Sequence, residues 1–216
     1  MTPGTITPTF ITTNSSIASN PNTQYTFTFT TSSKIISGAI LRIDFPNGIS
    51  VSEAAATANN GCTLSVGIST SNPPCSSANF GQTIYFNGFF TSNVSAGTTL
   101  TATVPGVTNL RYVGTSSTFT IQTTDSAGNT IDIATTGPVV NTVTARSITS
   151  GSISIDNAPV LNGETDSYVV TITPSTALVV GDRITLTFPT MLTVSSSATC
   201  SAVLGFTGVS CSIVGN

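Results

Sequence analysis

An internal repeat with a constant offset constrains this chain more than any other feature. Tyr25–Phe29 leads through Gly38 to a run of alternating apolar residues that ends in Phe-Pro at Pro46, and Tyr168–Ile172 leads in the same way to Pro189. The two tyrosines (168 − 25) and the two prolines (189 − 46) are both 143 residues apart. A repeat of this length is one domain long. The 216 residues therefore hold about one and a half copies.

The second copy has consequences for domain organisation. We expect an N-terminal strand at 1–13, a complete unit at 14–146 and a second, incomplete unit at 147–216. Half a domain cannot bury its own apolar faces. The incomplete unit is therefore expected to be completed by more chain or by another molecule, which predicts an array or a polymer.

Strand patterns dominate the chain. Tyr25, Phe27 and Phe29 alternate with threonines, which is the period of two of a half-buried strand. Further strands are predicted at Leu41–Phe45, Thr83–Phe86, Thr99–Val104, Ser117–Thr123, Thr130–Ile133, Val139–Ala145, Ile148–Ile155, Tyr168–Thr173, Arg183–Phe188 and Val209–Val214. The nearest approach to a helix, Ser52–Ala58, is too short to predict one. Short strands separated by turn residues predict an all-β protein built from β-sandwiches.

Charge is unusually scarce. Only 6% of the residues are charged, against about 25% in an average soluble domain. One Lys and four Arg with a net charge of −3 argue against a nucleic-acid interface and against a basic membrane-binding patch. No apolar stretch is long enough to predict a membrane span. A surface of Ser and Thr with few charges suits an extracellular protein.

The four cysteines follow the repeat. Cys62 and Cys75 lie in the first copy, and Cys200 and Cys211 lie at the corresponding place in the second. Four cysteines allow three pairings, and the repeat favours Cys62–Cys75 and Cys200–Cys211, because a duplicated unit carries its own bridge. Zinc is disfavoured, since the chain has no His and the spacing within each pair is too wide. Disulfides indicate an oxidising compartment.

The repeated pattern carries a family resemblance. Tyr-x-x-x-Phe or Ile, followed by Gly-x-x-hydrophobic-x-hydrophobic-x-Phe-Pro, resembles the Ig-like repeats of bacterial and protist surface proteins. Thr124–Thr130 is similar to a hairpin near the end of many bacterial Ig-like repeats. The resemblance implies tandem Ig-like β-sandwiches, the second one incomplete, in a protein that serves as a stalk, an adhesin or a wall or filament subunit.

Residues for catalysis are sparse. Without His, nucleophilic triads are set aside. The carboxylates are spread through turns and strand edges: Asp44, Glu53, Asp125, Asp132, Asp156, Glu164, Asp166 and Asp182. We therefore expect no enzyme, no catalytic residue and no cofactor. Asp156, Glu164 and Asp166 are the one group to weigh as Ca²⁺ ligands, but solvated turn carboxylates are the favoured interpretation and no metal site is predicted.

Two sequons indicate attached sugar. Asn14-Ser-Ser and Asn93-Val-Ser match the N-glycosylation pattern and fall in predicted loops or strand margins. Chance matches are the alternative in a chain this rich in Asn, Ser and Thr.

The N-terminal segment is the candidate for assembly. Ile6, Pro8 and Phe10 would share one face of an extended strand. This strand either folds back into its own domain or inserts into a neighbour, and a free strand at one end with an unfinished domain at the other resembles the donor-strand assembly of bacterial pilus subunits.

The sequence thus predicts a structural subunit of an extracellular, pilus-like filament that polymerises with copies of itself by strand complementation or head-to-tail repeats. The alternative is an adhesin or stalk module that binds a glycan or a host protein. Its candidate surface is the aromatic run Tyr85, Phe86, Phe89 and Phe90, although at least two of these side chains are expected in the core.

Overall fold

The computed structural model describes residues 2–58, 61–65, 73–134, 143–155, 165–201 and 212. The chain divides into two compact units, Met1–Thr176 and Ala177–Asn216. The elements are β1 (Gly4–Thr13), β2 (Thr23–Thr31), β3 (Ile40–Asp44), β4 (Ser50–Val51), α1 (Glu53–Thr57), β5 (Thr63–Ser65), β6 (Ser76–Ala78), β7 (Thr83–Phe86), β8 (Thr99–Thr108), β9 (Thr120–Thr124), β10 (Thr130–Ile133), β11 (Ile148–Ile155) and β12 (Tyr168–Pro174). No helix among these residues is long and apolar enough to cross a bilayer.

The predicted all-β class is confirmed. Among the described residues, ten strands form one sheet in the order β4–β8–β2–β1–β10–β9–β3–β7–β6, with β5 also paired to β8. The two ends of this order approach each other, since Val51 N donates a hydrogen bond of 3.0 Å to Gly81 O. The sheet is therefore a nearly closed barrel. That the chain consists of tandem Ig-like sandwiches stays a prediction.

The alternating strands supply the core. Tyr25, Phe27 and Phe29 of β2 are at most 1% exposed, while the threonines between them face outward. The rings of Phe27, Phe45 and Phe119 pack edge to face with centroids 5.2–5.7 Å apart. Burying an aromatic or aliphatic side chain of this size stabilises the fold by about 1.5–3 kcal/mol. The period of two in the sequence is thus the period of core packing.

The N-terminal strand lies in its own unit. Most of β1 pairs antiparallel with β2, whereas Gly4 and Thr5 pair parallel with β10. The predicted apolar face needs correction, because the register shifts between Pro8 and Phe10 and places Ile11 opposite the buried Phe27. A bulge of this kind exchanges the two faces of a strand. Among the residues of β1 whose side chains the structure describes, Ile6 and Ile11 are buried.

The hairpin β11–β12 repeats the pairing of β1 with β2. Ser150 lies opposite Thr173, and 143 residues earlier Thr7 lies opposite Thr30. The two registers agree at this pair and at Gly151 opposite Ile172, and they differ by one residue beyond the bulge of β1, since Ile153 lies opposite Val170 whereas Ile11 lies opposite Phe27.

The predicted boundary between 146 and 147 falls inside the first unit, which runs to Thr176. A hydrogen bond crosses the predicted boundary, in which Arg146 Nη1 donates to Ser175 O over 3.3 Å.

The second unit is described over 177–201 and at 212, and its described part contains turns without strands. The prediction of a strand at Arg183–Phe188 is wrong for this structure. Its counterpart in the first copy, β3, is held between β7 and β9. No equivalents of those two strands occur among the described residues of the second copy, so Arg183–Phe188 has no ladder to join. Two other predicted strands lie partly or wholly outside the described residues, over 139–142 and over 209–214 apart from Ser212.

Candidate assembly site

Residues of the second copy are exposed where their counterparts are buried. Leu41 and Ile43 are 0% exposed, whereas Ile184 and Leu186, 143 residues later, are 54% and 47% exposed. Full burial of such a side chain is worth about 1.5–3 kcal/mol. These positions therefore carry apolar surface that a covering partner would stabilise.

The strand β12 is also less covered than its counterpart in the first copy. Its counterpart β2 pairs with β1 on one edge and with β8 on the other, whereas β12 pairs with β11 alone among the described strands. Tyr168 is 37% exposed, against 1% for Tyr25. A strand edge of this kind, without Lys or an inward-pointing charge, is prone to pair with another strand.

The start of β1 is held by a hydrogen-bond network around the buried Asp132. Asp132 is fully buried, and its carboxylate accepts hydrogen bonds from Ser32 Oγ at 3.2 Å and from Ser33 N at 3.0 Å. Thr5 N in turn donates to Ser32 Oγ at 2.7 Å. A Cβ atom on Gly4 would collide with the Asp132 carboxylate and with both serine hydroxyls. A larger residue here would have to displace the buried carboxylate and the serine hydroxyls.

The first predicted disulfide is present. Cys62 and Cys75 are bonded, with their Cα atoms 6.0 Å apart and both side chains buried. Cys200 is also disulfide-bonded. Its predicted partner Cys211 lies outside the described residues.

A buried polar network holds the loop between β1 and β2. Tyr25 Oη donates to Asn109 Oδ1 over 2.8 Å, and Asn109 Nδ2 donates to the backbone oxygens of Ser15 and Ile17. Burial raises the pKa of Tyr25 to about 12. Burial favours the neutral phenol, and the network holds it in place as a hydrogen-bond donor.

Both sequons lie at the surface. Asn14 is exposed and its Oδ1 accepts a hydrogen bond from Gln24 N at 2.8 Å. Asn93 is exposed and its Oδ1 accepts from Ser37 N at 3.0 Å. Glycosylation at Asn14 and Asn93 stays a prediction.

The aromatic run does not form a surface platform. Phe86, Phe89 and Phe90 are at most 1% exposed, and Tyr85 is half-buried with the Arg42 guanidinium 5.8 Å from its ring centroid. The expectation that at least two of these aromatics belong to the core is confirmed.

The carboxylates of the described residues serve local structure. Asp44 accepts a hydrogen bond from Arg42 Nε at 3.0 Å, which raises the pKa of Arg42. Asp125 closes a turn, and hydrogen bonds from the side chain and backbone of Asn129 lower the pKa of its carboxylate. Among the described residues, no three or more His, Cys, Asp or Glu lie close enough to hold a metal ion. Asp156 and Glu164 lie outside the described residues, and Asp166 Oδ1 accepts from Ser167 N.

Sequence reasoning did not single out Asp132 or Asn109. The one sequence signal for Asp132 is its place in the alternating run Thr130–Ile133. In such a run, the polar residue between two isoleucines is expected to face solvent. Asn109 follows the long β8 and carries no pattern of its own.

These features define a β-rich, disulfide-bonded protein. No protein-family model and no curated protein matches the chain. Among solved structures, the chain is similar to the crystal structure of BslA, described as a bacterial hydrophobin, with 18% identity, a TM-score of 0.37, and coverage of 66% of this chain and 99% of that chain. A TM-score this low supports no inference about function.

Proposed function

We propose that this chain is a structural, non-enzymatic subunit of an extracellular filament, in which Ig-like units associate with copies of the same chain. The observation that carries the proposal is the exposure of Ile184 and Leu186 at positions where the first copy buries Leu41 and Ile43. A neighbouring unit that covers these side chains would gain the burial that the first copy already has.

Composition and cross-linking support an extracellular location. The Cys62–Cys75 disulfide fits an oxidising compartment. With 6% charged residues, the surface offers hydroxyl groups and methyl groups for contact between subunits and few charges to repel them.

The position of β1 favours one mode of joining. Ile6 is buried, and Thr5 N donates a hydrogen bond to Ser32 Oγ. Withdrawing β1 to act as a donor strand in a neighbour would therefore break contacts within its own unit. Head-to-tail association, or donation by a segment other than β1, requires no such loss. We therefore favour it over donation of the predicted assembly strand.

The experiment is negative-stain electron microscopy of the purified chain, with size-exclusion chromatography and non-reducing gels run before and after boiling in detergent. We expect filaments or rods whose subunits separate only on denaturation. The variants Ile184→Lys and Leu186→Lys should shorten or abolish them. Thr185→Lys, a substitution at the exposed residue between the two, is the matched control and should leave them intact. A monomer in all four proteins would contradict the proposal.

One observation favours an adhesin as a second candidate. Phe80 is fully exposed with a φ of 56° at the turn between β6 and β7, beside a cleft of about 380 Å³ lined by Val51, Glu53, Ser77, Ala78 and Gly81. An aromatic ring held outward at a hairpin tip is suited to contact a glycan or a protein. Binding of the chain to a glycan array that is lost in Phe80→Ala would support this function, and equal binding by both proteins would exclude Phe80 as its site.

A further inference from the structure

The outer face of β2 and β8 is a regular array of threonines. Thr26, Thr28 and Thr30 of β2 lie opposite Thr103, Thr101 and Thr99 of β8. Neighbouring strands are about 4.8 Å apart and alternate residues along a strand are about 6.8 Å apart. The six side chains therefore form a two-dimensional grid with two fixed repeats.

Hydrogen bonds and the core hold this array in place. The hydroxyl oxygens of Thr30 and Thr99 are 3.0 Å apart, and those of Thr28 and Thr101 are 3.5 Å apart. The residues between the threonines, such as Phe27 and Ala102, are 0% exposed. The grid is thus the outer surface of a packed sheet, with χ1 of each β-branched Thr restricted.

Two of the three rows continue onto each neighbouring strand, and the register position opposite Thr28 on β1 is Phe10. Thr7 lies opposite Thr30, and Thr12 lies opposite Thr26 on β1. On the other side, Thr63 lies opposite Thr103, and Ser65 lies opposite Thr101 on β5.

The charge of this face differs from that of the opposite side of the unit. None of the ten hydroxyl-bearing residues in the rows is ionisable, whereas the outer side of β3 carries the ion pair Arg42–Asp44. An ionic partner would find no complementary charge on the threonine face. A partner whose surface is a neutral, ordered lattice of hydroxyl groups would match the threonine face in both charge and spacing.

We propose that the threonine face binds the surface of ice. Its methyl groups restrict the orientation of adjacent water, and its hydroxyls hydrogen-bond that water at two regular intervals, so an ordered layer forms that can merge with the ice lattice. Charged side chains would impose their own hydration shells, and this face has none. Because neighbouring strands rotate by about 20–25°, the match is confined to the central strands. The protein is therefore expected to inhibit recrystallisation more than it depresses freezing.

The test is to grow ice slowly in a stirred solution of the full chain and to measure the protein in the ice and in the liquid, alongside recrystallisation in a frozen sucrose film. We expect the chain to enter the ice and to keep the grains small. Thr28→Lys and Thr101→Lys should lose both effects. Thr120→Lys, which places the same charge beside Asp44 on the opposite face, is the matched control and should keep both. Thermal unfolding by circular dichroism establishes that each variant is folded.

Three results would overturn the proposal. They are exclusion of the wild-type chain from ice, equal loss in Thr120→Lys, and unchanged ice binding in folded Thr28→Lys and Thr101→Lys. If the excluded chain is instead retained on microcrystalline cellulose, the face is assigned to a polysaccharide lattice.

Discussion

Cys62 and Cys75 join opposite ends of the strand order. Cys62 directly precedes β5, which pairs with β8, and Cys75 directly precedes β6, the last strand at the other end. The bond therefore fastens the open seam of the nearly closed barrel, beside the hydrogen bond from Val51 N to Gly81 O.

Removing this bond with the double substitution Cys62→Ala and Cys75→Ala should lower the free energy of unfolding by about 3 kcal/mol, because the unfolded chain regains the entropy of an open loop. Urea unfolding measures the loss. Hydrogen exchange should also increase first at Val51 and Cys75, whose amides bond across the seam. Uniform acceleration over β2 and β8 would show instead that the bond does not act at the seam.

The phenol of Tyr25 gives a second prediction. Tyr25→Phe leaves Asn109 Oδ1 buried without its 2.8 Å donor, and should cost about 1–3 kcal/mol. Tyr85→Phe, at a half-buried side chain whose ring lies beside Arg42, is the control and should change stability by less than about 0.5 kcal/mol. Equal losses in the two variants would show that the buried bond is not the cause.

The same phenol predicts a fall in stability at high pH. The pKa of Tyr25 rises from 10.0 to about 12 on folding, so the folded state holds its proton more tightly than the unfolded state. The contribution of the protonated Tyr25 to the free energy of unfolding is complete below pH 10. It is lost as the pH rises towards 12, by up to about 3 kcal/mol. In Tyr25→Phe, chemical denaturation between these pH values should show a smaller fall than in the wild type.

The packing of Gly4 against Asp132 predicts that a side chain at this position destabilises the protein. Gly4→Val should displace the start of β1 from Asp132 and cost about 1–3 kcal/mol, because the added atoms meet a buried carboxylate. Protection of the Thr5 amide from hydrogen exchange should fall. Thr7→Val, at an exposed position of the same strand, is the control and should leave that amide protected.

The turn closed by Asp125 predicts an effect at acidic pH. Hydrogen bonds from Asn129 lower the pKa of the Asp125 carboxylate below its usual 3.8. The ionised carboxylate therefore contributes its full stabilisation above pH 3.8, and this stabilisation is lost as the pH falls through the lower pKa of the folded state. Asp125→Ala should therefore be less stable than the wild type at neutral pH, and the difference should narrow in acid. A difference that stays constant from pH 7 to 2 would contradict this origin.

Several strands were predictable to the residue. β7, β10 and β11 have the bounds predicted from the sequence, because each is an alternating or β-branched run between turn residues. Arg183–Phe188 has the same alternation and forms no strand. Alternation shows which side chains would face a core, whereas a strand also needs a neighbour to pair with.

By itself, the sequence determined the all-β class, the repeat of 143 residues and the pairing of Cys62 with Cys75. Each follows from local period or from comparison of the two copies. Only the tertiary structure decided that β1 fills its own unit, that a bulge exchanges its faces, and that Asp132 is buried against Gly4. These depend on which distant strands share a ladder, and backbone pairing is not encoded in the pattern of any single strand.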